Sequence, residues 1–508
     1  MFDPVNKIIA WHLRRRYATI EEFMTKPHDI QFKVMHNLVK KAANTEWGRR
    51  HQFKHISNYK EFSESIPLQD YESLRDDIDR IRHGEQNVLW PTEIKWFAKS
   101  SGTTSTKSKF LPVSLESIEE NHFKTGRDMM SFYCHQKRDT KIFSGYSLRL
   151  GGSTTFNSSN HETYYGDLSA IIIENLPFWV EIRSTPNQSI ALMDEWETKI
   201  EKIVDHTIKQ NVTGFYGVPS WMLVLSRRVL EKTGADNLLE VWPNLELYSH
   251  GGVSFTPYRK QFEELIPSDS FSYLETYNAS EGFFAVQDSF DSEGMLLMLN
   301  NGIFYEFIPM SEFKGAESKA IPLSEVEEGV NYAMVITTNA GLWRYMIGDT
   351  VKFTSTQPYR IAITGRTKLF INAFGEELII DNAEKAVKEA CQKTDAEVRE
   401  FTAAPYYMAG QDSGAHEWII EFTKRPSNLE DFETVLDSSL QKLNSDYEAK
   451  RHKNMALKPP IVHEAKQELF HNWLREKGKL GGQHKVPRLA NDRVLIEELL
   501  RMNKGMSL

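Results

Sequence analysis

N-V-T-G-F-Y-G (211–217) is followed, one residue on, by P-S-W-M-L-V-L-S-R-R-V-L-E-K (219–232). The first run is short and apolar with glycines in and after it, as a buried strand is. The second repeats its apolar residues at helical spacing. It opens on a proline, which a first helical turn tolerates because that N–H has no partner there anyway. A strand feeding straight into a helix is the unit from which layered α/β domains with largely parallel sheets are built. Working outward, the alternation holds from about 143 to 300. F-S-G-Y-S-L-R-L-G-G (143–152) reads as a strand and D-E-W-E-T-K-I-E-K-I-V-D-H-T-I-K-Q (194–210) as an amphipathic helix. L-E-L-Y-S-H-G-G (245–252) and F-S-Y-L-E-T-Y (271–277) read as two more strands.

Beyond residue 283 the pattern turns to β. M-L-L-M-L-N-N-G-I-F-Y-E-F-I-P (295–309) predicts two strands around Asn301-Gly302, a hairpin dipeptide. Y-A-M-V-I-T-T-N-A-G-L-W-R-Y (332–345) predicts a further hairpin. Towards the N-terminus, residues 18–46 and 59–83 are polar with helical spacing, and Ser114 is placed to cap another helix. After Gly365 the character changes again. Asp381 and Glu384 have capping-box spacing for a helix reaching Lys393, two strands follow near 396–408 and 416–424, and a long helix is expected over 428–450. The predicted fold is therefore α/β: a large N-terminal domain with layered sheets and a β-rich portion (1–365), a hinge at 366–368, and a small α+β domain (369–508).

The 508 residues are 40% apolar and 26% charged, as in a soluble globular chain with ample material for a core. The formal net charge of -9 argues against a nucleic-acid partner, since no surplus of cations is available to displace phosphate counterions. Two cysteines, Cys134 and Cys391, exclude a disulfide framework and a cysteine zinc site and suit a reducing cytoplasm. No apolar stretch reaches membrane-spanning length. The N-terminal M-F-D-P-V-N-K-I-I-A-W-H-L-R-R-R-Y lacks the layout of a secretion signal and is expected to pack as a first helix rather than lie on a membrane. Without such a signal the sequons at Asn157, Asn187, Asn211 and Asn278 carry little meaning. The expectation is a cytoplasmic protein with no membrane partner, a monomer.

Familiar phosphate and nucleophile signatures are missing: the chain has no G-x-x-x-x-G-K-[ST], no G-x-G-x-x-G, no H-E-x-x-H and no G-x-S-x-G. Five other stretches carry chemistry. K-S-S-G-T-T-S-T-K-S-K-F (99–110) places hydroxyls, a glycine and lysines together, which suits either a polyphosphate cradle or a solvated loop. T-Y-N-A-S-E-G (276–282) ends a predicted strand, where α/β sheets bind ligands. There Glu281 is a candidate Mg²⁺ ligand and Tyr277 a candidate platform for a base, against the alternative of a polar loop. In W-R-Y-M-I-G-D-T-V-K-F (343–353), Asp349 is either an acceptor for ribose hydroxyls or a turn residue. I-T-G-R-T-K-L-F-I-N-A-F-G-E-E-L-I (363–379) spans the expected domain boundary, and G-K-L-G-G-Q-H-K-V-P-R-L-A (478–490) puts Lys479 and Lys485 in a Gly-rich loop.

Taken in order, S-S-G-T-T, T-Y-x-x-S-E, Y-x-x-G-D, G-R-T-K and a C-terminal lysine resemble the adenylate-forming superfamily that includes firefly luciferase and the acyl-CoA ligases. Within it, S-S-G-T-T, Y-N-A-S-E, W-R-Y-M-I-G-D and Q-H-K-V-P-R are most similar to the plant auxin-responsive acyl acid amido synthetases and their bacterial relatives, over nearly the whole chain. The resemblance implies an ATP- and Mg²⁺-dependent ligase. A carboxylic acid attacks the α-phosphate of ATP, and the acyl-adenylate then passes its acyl group to an amino acid, releasing AMP. It further implies that Ser100, Ser101, Thr103 and Thr104 hold phosphate, Tyr277 stacks on adenine and Glu281 binds the metal. Asp349 would take the ribose, Arg366 would follow it near the hinge, and Lys485 would be the catalytic lysine, with Lys479 as its rival. Gly251, Gly252 and Val253 would border the adenylate. His250 is left as a structural histidine. The chain departs from the family in S-T-K-S-K, which lacks a glycine before its lysine, and in Asn278-Ala279, which replaces a Gly-Ser type pair. An acyl-CoA ligase, differing only in its acceptor, and a non-catalytic nucleotide-binding protein of the same fold are the alternatives.

Overall fold

A computed structural model describes residues 4–505 apart from 101–108, 153, 157–162, 194, 254, 368–369, 377, 408–412, 455 and 478–485. Strand Val212–Tyr216 ends at Gly217 (φ +156°), and helix Pro219–Thr233 begins two residues later with Pro219 in its first turn. That helix stops at Gly234, whose left-handed φ of +69° costs a glycine nothing. Five strands run in parallel: Ser184–Thr185, Tyr146–Arg149, Val212–Tyr216, Leu247–Gly251 and Ser272–Ala279.

Those five form one wing of a twelve-stranded sheet. Across it from Ser272–Ala279 the order continues Gly282–Val286, Met295–Leu297, Tyr359–Arg366, Tyr345–Thr356, Asn331–Thr338, Ile303–Pro309 and Ile321–Pro322, all antiparallel. A second sheet orders Lys109–Val113, Trp96–Ser100, Tyr164–Gly166 and Thr154–Phe156. Four strand steps separate Ser272–Ala279 from Tyr345–Thr356, about 19 Å in a flat sheet at ~4.8 Å per step. Yet Tyr277 Oη donates to Asp349 Oδ2 at 2.6 Å. The antiparallel wing therefore curls back on itself, as a twisted sheet of this width does.

The chain divides into two compact units. The first holds the described residues of 1–100, 108–255 and 262–367, and the second those of 256–261 and 368–508. In the first, helix Pro4–Thr25 packs on helix Lys124–Gln136, tied by an Arg16–Asp128 ion pair and by Asn6 donating to Thr140 O (2.8 Å). Ser114 Oγ accepts from Ser117 N (2.9 Å), opening a π-helical turn over Ser117–Phe123 that leads into that second helix. In the second unit, strands Glu397–Tyr407, Gly414–Lys424 and Ile461–Glu464 form one sheet, and helices Ile380–Thr394 and Leu429–Leu443 pack together. No helix among the described residues is long and apolar enough to cross a membrane.

Three local expectations are corrected. Asn301-Gly302 does not close a hairpin: Met295–Leu297 pairs with Gly282–Val286 and Tyr359–Arg366, while Ile303–Pro309 pairs with Asn331–Thr338 and Ile321–Pro322. Gly302 does adopt the positive φ (+79°) that the dipeptide suggests, but the Asn301 side chain is spent on Thr125 Oγ1 (3.0 Å) and Phe283 O (2.8 Å). The turn thus carries the chain to a different part of the sheet. The helix expected over 428–450 breaks at Asn444, whose Oδ1 caps a new helix, Ser445–Arg451, through Asp446 N and Tyr447 N. The helix expected from Asp381 starts at Ile380, and the Ile379 N–H donates to Asn382 Oδ1 (3.5 Å).

Candidate active site

Of the ten residues singled out from the sequence, Ser101, Thr103, Thr104 and Lys485 lie outside the described residues, as does Lys479. The other six all belong to the first unit. Ser100 closes strand Trp96–Ser100 and stands in register opposite Lys109, the first residue of Lys109–Val113. Those two residues flank the hydroxyl-rich stretch.

T-Y-N-A-S-E-G forms a tight hairpin: Ser272–Ala279 turns through Ser280 and Glu281 into Gly282–Val286, with Ala279 opposite Gly282. Beside it runs Leu247–Gly251, with Gly251 opposite Thr276. A Cβ on Gly251 would collide with the Thr276 carbonyl oxygen, so only glycine lets the two strand ends approach this closely. Gly252 follows, exposed and at φ +83°, another conformation that favours glycine. His250 is 3% exposed, stacked on Phe255 (centroids 3.9 Å apart), and its carbonyl accepts from Thr276 Oγ1 (2.9 Å). It is a packed histidine that fixes the strand pair.

Asp349 and Arg366 face one another in register on Tyr345–Thr356 and Tyr359–Arg366, and Arg366 Nε donates to Asp349 Oδ1 (2.8 Å). With Tyr277 on Oδ2, both carboxylate oxygens are engaged, and the ring of Tyr277, 5% exposed, rests edge-on to Phe284. Burial and the neighbouring Asp349 charge push the Tyr277 hydroxyl well above its usual range, so it stays a donor. Gly348, at φ +91°, turns the strand just before Asp349, and its carbonyl accepts from Thr367 N (2.8 Å).

Glu281 is different. Among the described residues it makes no ion pair, and burial is the main force raising its carboxyl from 4.5 to about 7, with Asp349 adding to the rise and Lys109 and Arg366 opposing it. A half-buried carboxylate without an ion-pair partner among the described residues suits a hard cation, and Mg²⁺ takes one or two carboxylates with phosphate and water oxygens. The donor set therefore fits the metal. Lys109 is the residue that sequence reading passed over. It lay in the quoted 99–110 stretch, but only the fold brings its charge to bear on Glu281.

Comparisons with known proteins identify the family. The GH3 family N-terminal, central and C-terminal domain models match residues 16–271, 296–366 and 381–494. Similar curated proteins include the indole-3-acetic acid-amido synthetase GH3.3 of Arabidopsis thaliana, 21% identical over 557 residues covering 94% of this chain and 92% of that one. Another is the jasmonoyl–L-amino acid synthetase JAR6 of Nicotiana attenuata, 25% identical over 92% of each. The fold is that of the GH3.15 acyl acid amido synthetase (TM-score 0.61, 17% identity, 100% of this chain and 97% of that one). It is also that of 2-hydroxyisobutyryl-CoA ligase in its thioesterification state (TM-score 0.58, 13% identity, 95% and 93%). With all three domain models matched in order, the chain belongs to the GH3 family.

Proposed function

We propose that the chain is an ATP-dependent acyl acid amido synthetase, a ligase that joins a carboxylic acid to an amino acid through an acyl-adenylate. The observation that carries this reading is the convergence of Tyr277, Asp349 and Arg366 in one hydrogen-bonded group, with Glu281 electrostatically coupled to it. In the first step a carboxylate oxygen of the acid attacks the α-phosphorus of ATP, and the bond to pyrophosphate breaks. In the second the amine nitrogen attacks the acyl carbon, the bond to AMP breaks, and the amine's proton is released.

Each residue has a part. Asp349, held from both sides, accepts from the ribose hydroxyls with whichever lone pairs Tyr277 and Arg366 leave open. Tyr277 lies beside the adenine, and the exposed Gly252 leaves room for the adenylate at the strand end. Ser100, Ser101, Thr103 and Thr104 donate to the phosphates. Glu281 is the residue that holds Mg²⁺, which neutralises charge on the triphosphate. Lys485 supplies the ammonium that meets the charge developing on the α-phosphate, with Lys479 as its rival.

Pyrophosphate exchange into ATP, measured over a panel of carboxylic acids, tests the first step. Addition of amino acids or of CoA then identifies the acceptor, and product with CoA alone would make the chain an acyl-CoA ligase. Lys485→Ala is expected to slow exchange by roughly a hundred- to a thousandfold. It should leave amide formation from supplied acyl-adenylate nearly intact. Exchange at the parent rate in Lys485→Ala, with loss in Lys479→Ala, would transfer the role to Lys479.

A further inference from the structure

The first unit contains a second feature that the adenylation chemistry leaves unexplained. A cavity of about 280 Å³ is lined by apolar side chains, Ile173, Leu176, Phe178 and Ile182 among them, by polar ones that include Glu181, Asn187 and Gln188, and by one cation, the half-buried Arg149. Phe178 and Ile182 are 76% and 54% exposed. Arg149 lies over the ring of Tyr216, 5.0 Å from its centroid, and Arg149 Nε has no hydrogen-bond partner. Among the described residues it pairs with no carboxylate. Four other enclosed arginines do: Arg344 with Glu306, Arg451 with Asp437, Arg360 with Asp288 and Arg366 with Asp349. A half-buried cation whose enclosed Nε has no acceptor is costly, and one aromatic face offsets only part of that cost. The backbone around it is nevertheless closely built. Lys199 Nζ donates to Gly151 O (2.7 Å) and Gly152 O (3.0 Å), and Ile173 Cδ1 packs where a Cβ on Gly151 would stand.

We propose that this cavity binds a small carboxylate with an apolar body, its carboxylate on the Arg149 guanidinium and its body along Ile173, Leu176, Phe178 and Ile182. A guanidinium presents paired N–H groups to a carboxylate, and apolar walls suit the remainder of such a molecule. Arg149 ends its strand in register with Tyr216, which is in register with Ser249. The cavity thus lies at the carboxyl ends of the parallel strands, the rim that also carries Gly252 and Tyr277, and where open α/β sheets bind ligands. Two strand spacings put the Arg149 backbone about 10 Å from Ser249, with the Tyr216 ring below the guanidinium. If the ligand is the acid being activated, which rests on the function proposed above, its reacting carboxylate lies near Gly252. The carboxylate on Arg149 is then a second one, and the substrate is a dicarboxylic acid. If the ligand is an effector, a monocarboxylate suffices.

Calorimetric titration without ATP decides the site, using hexanoate, adipate and the neutral hexanamide on the full chain. Arg149→Met keeps the length and removes the charge. It is expected to weaken at least one of the two carboxylates by roughly ten- to a hundredfold while leaving hexanamide unchanged, and Arg149→Lys should recover part of the loss. Equal carboxylate affinity in parent and Arg149→Met, or no carboxylate binding by a parent that exchanges pyrophosphate, overturns the proposal. If Arg149→Met does not fold, Phe178→Ala at the cavity lining, expected to weaken carboxylate and amide alike, takes its place, and unchanged binding there overturns it equally. The source follows from pyrophosphate exchange. A substrate site shifts the adipate-to-hexanoate preference of Arg149→Met by tenfold or more, whereas an effector site loses binding with that preference unmoved. Absence of exchange with every acid would sink the ligase reading and leave the binding result standing.

Discussion

Arg344 and Asp349 belong to one short stretch, W-R-Y-M-I-G-D, and each pairs with an opposite charge across the antiparallel wing. Their surroundings differ. Arg344 and Glu306 are 6% and 1% exposed at the side chain. Arg344 Nε and Nη2 reach Glu306, Arg344 Nη1 donates to Ser63 O and Ile66 O, and Tyr59 Oη donates to Glu306 Oε1. That group is saturated from within and fastens the segment around Ser63 and Ile66 to the sheet. Asp349 and Arg366 are more open, at 13% and 17%, and the neighbouring Glu281 has no ion-pair partner among the described residues. A buried charge fully matched by the chain is part of the structure. One left short of countercharge marks where a ligand supplies it, and Arg149 fits the same rule with the sign reversed.

The largest effect should come from breaking the saturated group. Arg344→Met leaves Glu306 buried without its cation, which costs about 3–5 kcal/mol. Urea unfolding should show the first transition at much lower denaturant, while activity per folded molecule stays near the parent's. A variant as stable as the parent but inactive would place Arg344 in the site and erase the contrast.

Glu281→Gln sharpens it from the other side. Removing the charge but not the volume should lower pyrophosphate exchange on the order of a hundredfold or more, if the carboxylate holds the metal that offsets transition-state charge. Stability should move differently. In metal-free protein the folded carboxyl titrates at about 7 and the unfolded one at 4.5, so between those values the folded chain holds more protons. Stability of the parent should therefore fall as pH rises from about 4.5 to 7, by at most about 3 kcal/mol. Glu281→Gln should lose that slope and, at pH 7.5 without metal, be at least as stable as the parent. Thermal unfolding across this range checks the sign, and a slope unchanged in the variant would mean that another group titrates.

The sequence carried the parallel wing because strand and helix periods are local, and Gly217, Pro219 and Gly234 mark the handover at single residues. Asp349, Tyr277 and Arg366 were legible as motif residues, but their joining was not. It depends on the curl of the sheet, which brings strands four places apart within one hydrogen bond. Asn301-Gly302 misled for a related reason. The dipeptide predicts the backbone of the turn, and Gly302 obeys, yet pairing is decided by where Thr125 and Phe283 anchor Asn301. Arg149 gave no signal at all. Its meaning lies in its having no ion-pair partner among the described residues, which no pattern along the chain records.

The smallest effect tests how Asp349 is held. Tyr277→Phe keeps the ring and its edge contact with Phe284 but removes the donor on Asp349 Oδ2, while Arg366 still holds Oδ1. One hydrogen bond to a charged acceptor, partly replaceable by water, is worth about 1–2 kcal/mol. If Asp349 binds the ribose, the KM for ATP should rise roughly five- to twentyfold with kcat little changed, because the carboxylate is less well oriented but still present. Asp349→Asn, which alters the acceptor itself, should cost more. Normal ATP kinetics in Tyr277→Phe beside a damaged Asp349→Asn would reduce Tyr277 to its ring. A hundredfold fall in kcat would instead mean that the hydroxyl acts on the nucleotide, and the Tyr277–Asp349 bond would be only its resting state.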